Sequence, residues 1–164
     1  MADDQMSRVL AELDALGITY AMHTHPPVFT SEEAAQHWMG IDATRVKNLF
    51  LRNKKGDRHY LVILEVGKQA DLRQLVKVIG DDRLSFGSPE RLMARLGLTP
   101  GSVSPFGLLN DSSKSVQVII DADLRNARRV VFHPNINTAS IAISFADFER
   151  FLSARGNAVR YVRV

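Results

Sequence analysis

Arg45-Val46-Lys47-Asn48-Leu49-Phe50-Leu51-Arg52 runs into Asn53-Lys54-Lys55-Gly56-Asp57 and returns as Arg58-His59-Tyr60-Leu61-Val62-Ile63-Leu64-Glu65-Val66. β-Branched and large apolar residues flank a centre of Asn, Gly and Asp, so the segment predicts a β-hairpin. The return strand is apolar without a break from Tyr60 to Leu64. An uninterrupted apolar run predicts burial on both faces of the sheet.

Upstream, Met6, Val9, Leu10, Leu13 and Leu16 recur at helical spacing and Gly17 marks the stop. A short strand is predicted from Ile18 to Thr24, broken by His25-Pro26-Pro27 because a pre-proline residue is driven to extended geometry. Thr30-Ser31-Glu32-Glu33 has the spacing of a capping box and predicts a helix through Trp38, closed at Gly40. Downstream, Asp71 caps a helix to about Val78, Arg83 to Phe86 is a brief strand, and Ser88-Pro89-Glu90 opens a helix ending at Gly97. Strands are predicted at Val116–Ile120, Arg129–Phe132 and Ser140–Ser144. A last helix carries Phe148, Phe151 and Leu152, and Val159–Val164 closes the sheet at an edge. The expected fold is a single α/β domain over residues 1–164, with a mixed, largely antiparallel sheet and peripheral helices.

The 164 residues suffice for a substantial core without staples. Hydrophobic residues at 45% and charged residues at 24% are ordinary for a globular protein. The net charge of +3 permits contact with a phosphate backbone without demanding it. The absence of cysteine removes disulfides, thiolate nucleophiles and thiolate metal sites. The polar, acidic start Met1-Ala2-Asp3-Asp4-Gln5 is unlike a signal peptide, and no apolar run approaches a membrane span. A soluble cytoplasmic protein without a membrane partner is expected.

Thr99-Pro100-Gly101-Ser102-Val103-Ser104-Pro105-Phe106-Gly107 predicts a shaped loop rather than a helix or strand, since its prolines fix φ and its glycines allow φ > 0. The N–H groups of Gly101, Ser102, Val103 and Ser104 are placed to converge on an anion or developing oxyanion. Composition alone favours a plain connector. Lys47 is a charge on a buried-looking strand. It is most simply on the solvent face; the alternative sets its ammonium in a pocket beside the Asn48 amide, on a phosphate or carbonyl oxygen. His133-Pro134-Asn135-Ile136-Asn137-Thr138 is either a polar turn or a group of donors and acceptors at the rim of a cleft. His23 and His25 lack a clear third ligand and make no metal site. Walker, Gly-x-Gly-x-x-Gly, His-Glu-x-x-His and nucleophile-elbow patterns are absent.

Four segments together resemble the YbaK-like, prolyl-tRNA synthetase-associated editing family. They are His25-Pro26-Pro27-Val28-Phe29-Thr30, Lys47-Asn48-Leu49-Phe50-Leu51, Gly101-Ser102-Val103-Ser104-Pro105-Phe106-Gly107 and His133-Pro134-Asn135-Ile136-Asn137-Thr138, in the family's order and over nearly the whole chain. Within the family, the chain is most similar to the free-standing alanyl-tRNA(Pro) deacylases. The resemblance implies hydrolysis of the ester joining a wrong amino acid to the terminal adenosine of tRNA, with no metal, cofactor or protein nucleophile. It implies that Lys47 holds the terminal nucleotide or carbonyl and that Gly101, Ser102, Val103, Ser104 and Pro105 cradle the aminoacyl group and its oxyanion. Val28, Phe29 and Thr30, with Val103 opposite, would line a pocket that admits alanine and excludes proline. Asn48, His133 and Asn137 complete the expected substrate contacts.

The implied partners are the acceptor end of an aminoacylated tRNA and a prolyl-tRNA synthetase, not DNA. Arg45, Lys54, Lys55, Arg58 and Lys68 are the candidate tRNA contacts. Two alternatives stand beside this expectation: deacylation of cysteine or another small amino acid from tRNA(Pro), and a non-catalytic nucleic-acid-binding or regulatory module. No helix-turn-helix, zinc finger or aromatic RNP-like run supports the last.

Overall fold

The computed structural model describes residues 2–27, 30, 40 and 42–164, without the side chains of residues 2 and 3. Residues 31–38 of the helix expected from Thr30 to Trp38 lie outside the described residues, as do Val28 and Phe29.

Helix α1 (Ala2–Ala15) precedes β1 (Ala21–Thr24), and the hairpin is β2 (Thr44–Asn53) and β3 (His59–Glu65). Then come α2 (Leu72–Ile79), β4 (Leu84–Phe86) and α3 (Pro89–Leu96), a 3-10 helix (Pro105–Asn110) and β5 (Val116–Asp121). A second 3-10 helix (Ala122–Asn126) leads to β6 (Arg129–Phe132), β7 (Ala139–Ser144), α4 (Phe145–Arg155) and β8 (Val159–Val162). The predicted caps form: Asp71 accepts from the amides of Arg73 and Gln74, and Ser88 from that of Arg91.

Two boundaries differ from expectation by more than two residues. The strand predicted from Ile18 begins only at Ala21, because Ile18 closes α1 in a Schellman motif: its amide reaches Leu13 O while that of Gly17 reaches Asp14 O. The Thr99–Gly107 segment is a loop only to Ser104, and Pro105 opens the 3-10 helix with Ser104 as its cap. A serine acceptor followed by proline supplies both the cap and the fixed φ that such a turn needs.

The sheet runs β1-β7-β6-β2-β3-β5-β8, with β4 also on β2. It is mixed: β2–β3, β2–β4, β1–β7 and β6–β7 are antiparallel, and β2–β6, β3–β5 and β5–β8 are parallel. β3 is central and buried from His59 to Leu64, as its apolar run predicts. Strand alternation sorts the two faces. Val46, Phe50, Leu61 and Ile63 join the larger core with α1, α3 and α4, whereas Leu51, Tyr60, Val62 and Leu64 pack with α2.

The sheet has one weak seam. β2 and β6 pair only at Thr44–Val130 and Arg45–Val131, after which β2 continues with β3 and β4 while β6 ends at Phe132. In open α/β sheets, ligands bind at carboxyl ends of strands where the sheet changes direction. The seam lies at the carboxyl end of β6 and the amino end of β2, so it meets that condition from one strand only.

Candidate functional site

The Gly101 loop is anchored by the aromatic residue that follows it. Phe106 is fully buried, with its ring 5.8 Å from Phe132 and 5.1 Å from Phe151. Upstream, α3 stops at Gly97 with φ of +66°, and the Asn110 amide donates to Leu96 O at 2.8 Å across the loop's base. The loop is therefore fixed at both ends by core contacts.

Within it, Gly101 has φ of +91° and the Ser102 amide donates to Thr99 O at 3.1 Å. That hydrogen bond corrects the expectation of four free amides. The N–H groups of Gly101, Val103 and Ser104 have no partner among the described residues. The Ser104 side chain is occupied by structure: it is fully buried and its Oγ accepts from the Phe106 amide at 3.1 Å; Ser102 is 6% exposed. Val103 packs against the larger core.

Asn135 joins this loop to the His133–Thr138 segment, donating from Nδ2 to Phe106 O at 3.2 Å. It adopts φ of +64°, is 6% exposed, and leaves its buried Oδ1 without a partner. Asparagine tolerates that left-handed backbone better than other non-glycine residues, which suits the turn. His133 is 8% exposed and its Nδ1 donates to Ala139 O at 3.0 Å, which assigns the neutral ring its Nδ1–H tautomer. Burial holds its pKa below the ordinary histidine value, against the raising effect of that hydrogen bond. The ring sits 5.9 Å from that of His25. His25 Nδ1 donates to Pro26 O at 2.9 Å and its Nε2 accepts from the buried Ser140 Oγ at 2.8 Å. The His25 amide also reaches Thr138 O. Thus the His25-Pro26 segment, the His133–Thr138 turn and the Gly101 loop, remote in sequence, are tied together by hydrogen bonds. Asn137 is half-buried in this turn, and Thr30 is exposed.

Lys47 and Asn48 do not stand side by side. Their cross-strand partners are Leu64 and Ile63, which belong to opposite cores, so the two side chains leave opposite faces of β2. This corrects the expectation of an ammonium beside the Asn48 amide. Asn48 lies on the face of Phe106 and Val103, with its buried Oδ1 unpartnered. Lys47, half-buried, shares its face by register with Arg45, Val131, Ala142 and Ser140. It makes no hydrogen bond or ion pair with a described residue. Both flank the seam where β2 leaves β6. Asn135, Ser140 and His25 have places in this network that residue type alone did not reveal, although a serine inside apolar β7 and an asparagine after proline were visible hints.

Two of the basic candidates are spent within the protein. Lys68 Nζ lies 2.6 Å from both Asp121 and Asp123, and Arg58 pairs with Asp81 at 3.6 Å. Exposed Lys54 and Lys55 and half-buried Arg45 make no ion pair with a described residue.

The model of the aminoacyl-tRNA editing domain matches residues 25–151, a span holding all four segments and the seam. The chain belongs to the aminoacyl-tRNA editing domain family. Its reaction class is aminoacyl-tRNA deacylation. This editing domain is 41% identical over 161 residues to the prolyl-tRNA editing protein ProX of Acetoanaerobium sticklandii, covering 98% of each chain. It is 32% identical to prolyl-tRNA synthetase associated domain-containing protein 1 of Xenopus laevis, covering 96% of this chain and 95% of that one. A crystal structure provisionally described as a trans-editing enzyme for prolyl tRNA synthetase superposes with a TM-score of 0.72 at 23% identity, over 98% and 97% of the two chains, a likeness of fold. No helix among the described residues is long and apolar enough to cross a membrane.

Proposed function

We propose that this editing domain acts in trans on tRNA(Pro) carrying alanine, hydrolysing the ester without a metal or a covalent intermediate. The observation that carries this reading is the anchored Gly101–Ser104 loop, whose amides at Gly101, Val103 and Ser104 have no acceptor among the described residues, beside serines that are buried or capping.

An aminoacyl ester is activated, so a positioned water beside N–H donors suffices for attack. Water oxygen bonds to the carbonyl carbon, and the loop amides receive the oxyanion. The tetrahedral species then collapses with cleavage of the bond to the ribose oxygen. That oxygen takes a proton, and free alanine leaves. The neighbouring ribose hydroxyl of the tRNA orients the water, so this reading needs no catalytic triad. The buried Oδ1 atoms of Asn48 and Asn135 are acceptors suited to the substrate's α-ammonium. Lys47, without a carboxylate partner among the described residues, is suited to the terminal phosphate or carbonyl, and His133 and Asn137 border the aminoacyl group.

A synthetase pocket built for proline excludes the smaller alanine poorly, since a methylene is worth only ~1–3 kcal/mol. A second site that admits alanine and rejects proline by size corrects the error. In this reading Val103 lines it, and of the other expected lining residues Thr30 is described while Val28 and Phe29 lie outside the described residues. The partners in this reading are the acceptor end of the tRNA and prolyl-tRNA synthetase in the cytoplasm. The test is deacylation of tRNA(Pro) charged separately with alanine, cysteine and serine. Fastest release of alanine is expected. Faster release of cysteine transfers the protein to the thiol-specific branch, and tRNA binding without release of any amino acid makes it a non-catalytic module.

A further inference from the structure

Beyond the aminoacyl site, a second cationic feature lies at the far end of the β2–β3 hairpin. Arg91, on α3, donates from Nη1 to Gly56 O at 2.9 Å and lies 3.1 Å from His59 Nε2. Arg52, on β2, donates from Nε to Asn53 O at 3.1 Å and from Nη2 to Lys54 O at 3.0 Å. The two guanidinium groups converge over Gly56: a Cβ placed there would lie 2.7 Å from Arg91 Nη2 and 3.2 Å from Arg52 Nη2. Gly56 has φ of +76°, so both its backbone and this approach require the missing side chain.

Two like charges held this close call for an anion, yet no carboxylate of a described residue lies within ion-pair distance of Arg52, Arg91 or Arg95. The acids at this end are engaged elsewhere. Asp57 accepts from Asn53 Nδ2, Asp82 accepts from the Lys54 amide, and Asp81 is bonded to Tyr60 and Arg58. His59, 1% exposed and stacked 5.5 Å from Phe50, does not share the burden. Its Nε2 accepts from Arg91, so the ring beneath the arginines is neutral. Arg91 Nη2 and Arg52 Nη1 remain without acceptors among the described residues, in forks whose planes are fixed by main-chain carbonyls. Exposed Lys54 and Lys55 border them. Fixed guanidinium forks are suited to bidentate phosphate contacts.

We propose that Arg52 and Arg91 form a seat for a backbone phosphate of the RNA substrate, separate from the aminoacyl site. The seat rests on the deacylase reading for the identity of the RNA. Arg52 is four positions along β2 from Asn48, about 13 Å along the strand. A phosphate here is therefore not that of the reacting nucleotide but one further along the acceptor arm. Such a contact adds affinity and register without reading sequence.

The experiment measures binding of an uncharged acceptor-stem RNA hairpin ending in CCA, by fluorescence anisotropy across a salt series. Wild type is compared with Arg52→Gln, Arg91→Gln, the double variant, Arg91→Lys and Arg150→Gln, with circular dichroism confirming the fold of each. Each glutamine change at the seat is expected to weaken binding about fivefold and to flatten the plot of log affinity against log salt by about 0.7–0.9. Arg91→Lys keeps the salt slope, and Arg150→Gln leaves both quantities at the wild-type value. Unchanged binding in the double variant overturns the seat, as does equal loss in Arg150→Gln or a wild-type protein with no salt-dependent RNA binding. Because uncharged RNA is used, a protein that binds through the seat but releases no amino acid refutes the deacylase reading alone. One that deacylates while the double variant binds normally refutes the seat alone.

Discussion

Acidification from pH 7.5 to 4.5 should destabilise this protein through His59 before its carboxylates titrate. His59 is 1% exposed, and burial first, then Arg95, Arg91 and Arg52, pull its pKa down from 6.5 to about 4. The folded pKa is the lower one, so the unfolded chain takes up the proton first. The stabilisation is complete above pH 6.5 and is lost as pH falls toward 4. At pH 4.5 the loss from this one residue is about 2.5 kcal/mol. Asp57, Asp81, Asp111 and Asp123 have lowered pKa values instead, so their contributions persist down to about pH 4 and fail only below it. His133, also lowered by burial, adds an acid-dependent loss of the same sign, so it needs its own control. Urea unfolding followed by circular dichroism at pH 7.5, 6.5, 5.5 and 4.5 gives the stability profile. Wild type should lose stability steadily below pH 6.5. His59→Gln should be weaker at pH 7.5, having lost the Phe50 stack, but its profile should flatten by about 2 kcal/mol, and His133→Gln should remove a separate share. An unaltered acid slope in His59→Gln would show that the ring is not held neutral by its burial and the arginines.

Three further outcomes test the site. Lys47→Ala should lower kcat/KM on alanyl-tRNA(Pro) by about 10–100-fold, with the melting temperature unchanged because its ammonium has no partner among the described residues; wild-type turnover would remove Lys47 from the site. Asn135→Ala should cost about 2–4 kcal/mol in urea unfolding, by orphaning Phe106 O and keeping a strained backbone, whereas Asn135→Gly should recover about 1 kcal/mol of that; equal losses would show that the left-handed backbone carries no cost. Ser104→Ala should lose about 1 kcal/mol of stability with its cap, and Ser102→Ala should retain deacylation within a few-fold, since the amides and not the hydroxyls are proposed to act. Abolished turnover in a folded Ser102→Ala protein would restore serine as a nucleophile.

Periodicity and punctuation made the framework legible. Helix starts at Asp71 and Ser88 and the double-sided burial of β3 followed from local chemistry, because a cap or an apolar run needs no distant partner to be recognised. The 3-10 helix at Pro105 was hidden because proline and glycine signal only a departure from regular structure. The candidate site was legible as four separate segments but not as a geometry. Strand alternation alone already places Lys47 and Asn48 on opposite faces, and the expected pocket overlooked it. Asn135 and Ser140 acquire meaning only from Phe106 O and His25, partners 29 and 115 residues away. The fate of Lys68 depends likewise on Asp121 and Asp123, which no local pattern pairs with it.

The most direct test of the central claim is a side-by-side rate of amino-acid release from alanyl-tRNA(Pro) and prolyl-tRNA(Pro), each with and without the protein. Rapid release of alanine is predicted, with proline released at least about tenfold more slowly. Alanine release no faster than in buffer, or release of both amino acids at equal rates, would contradict it.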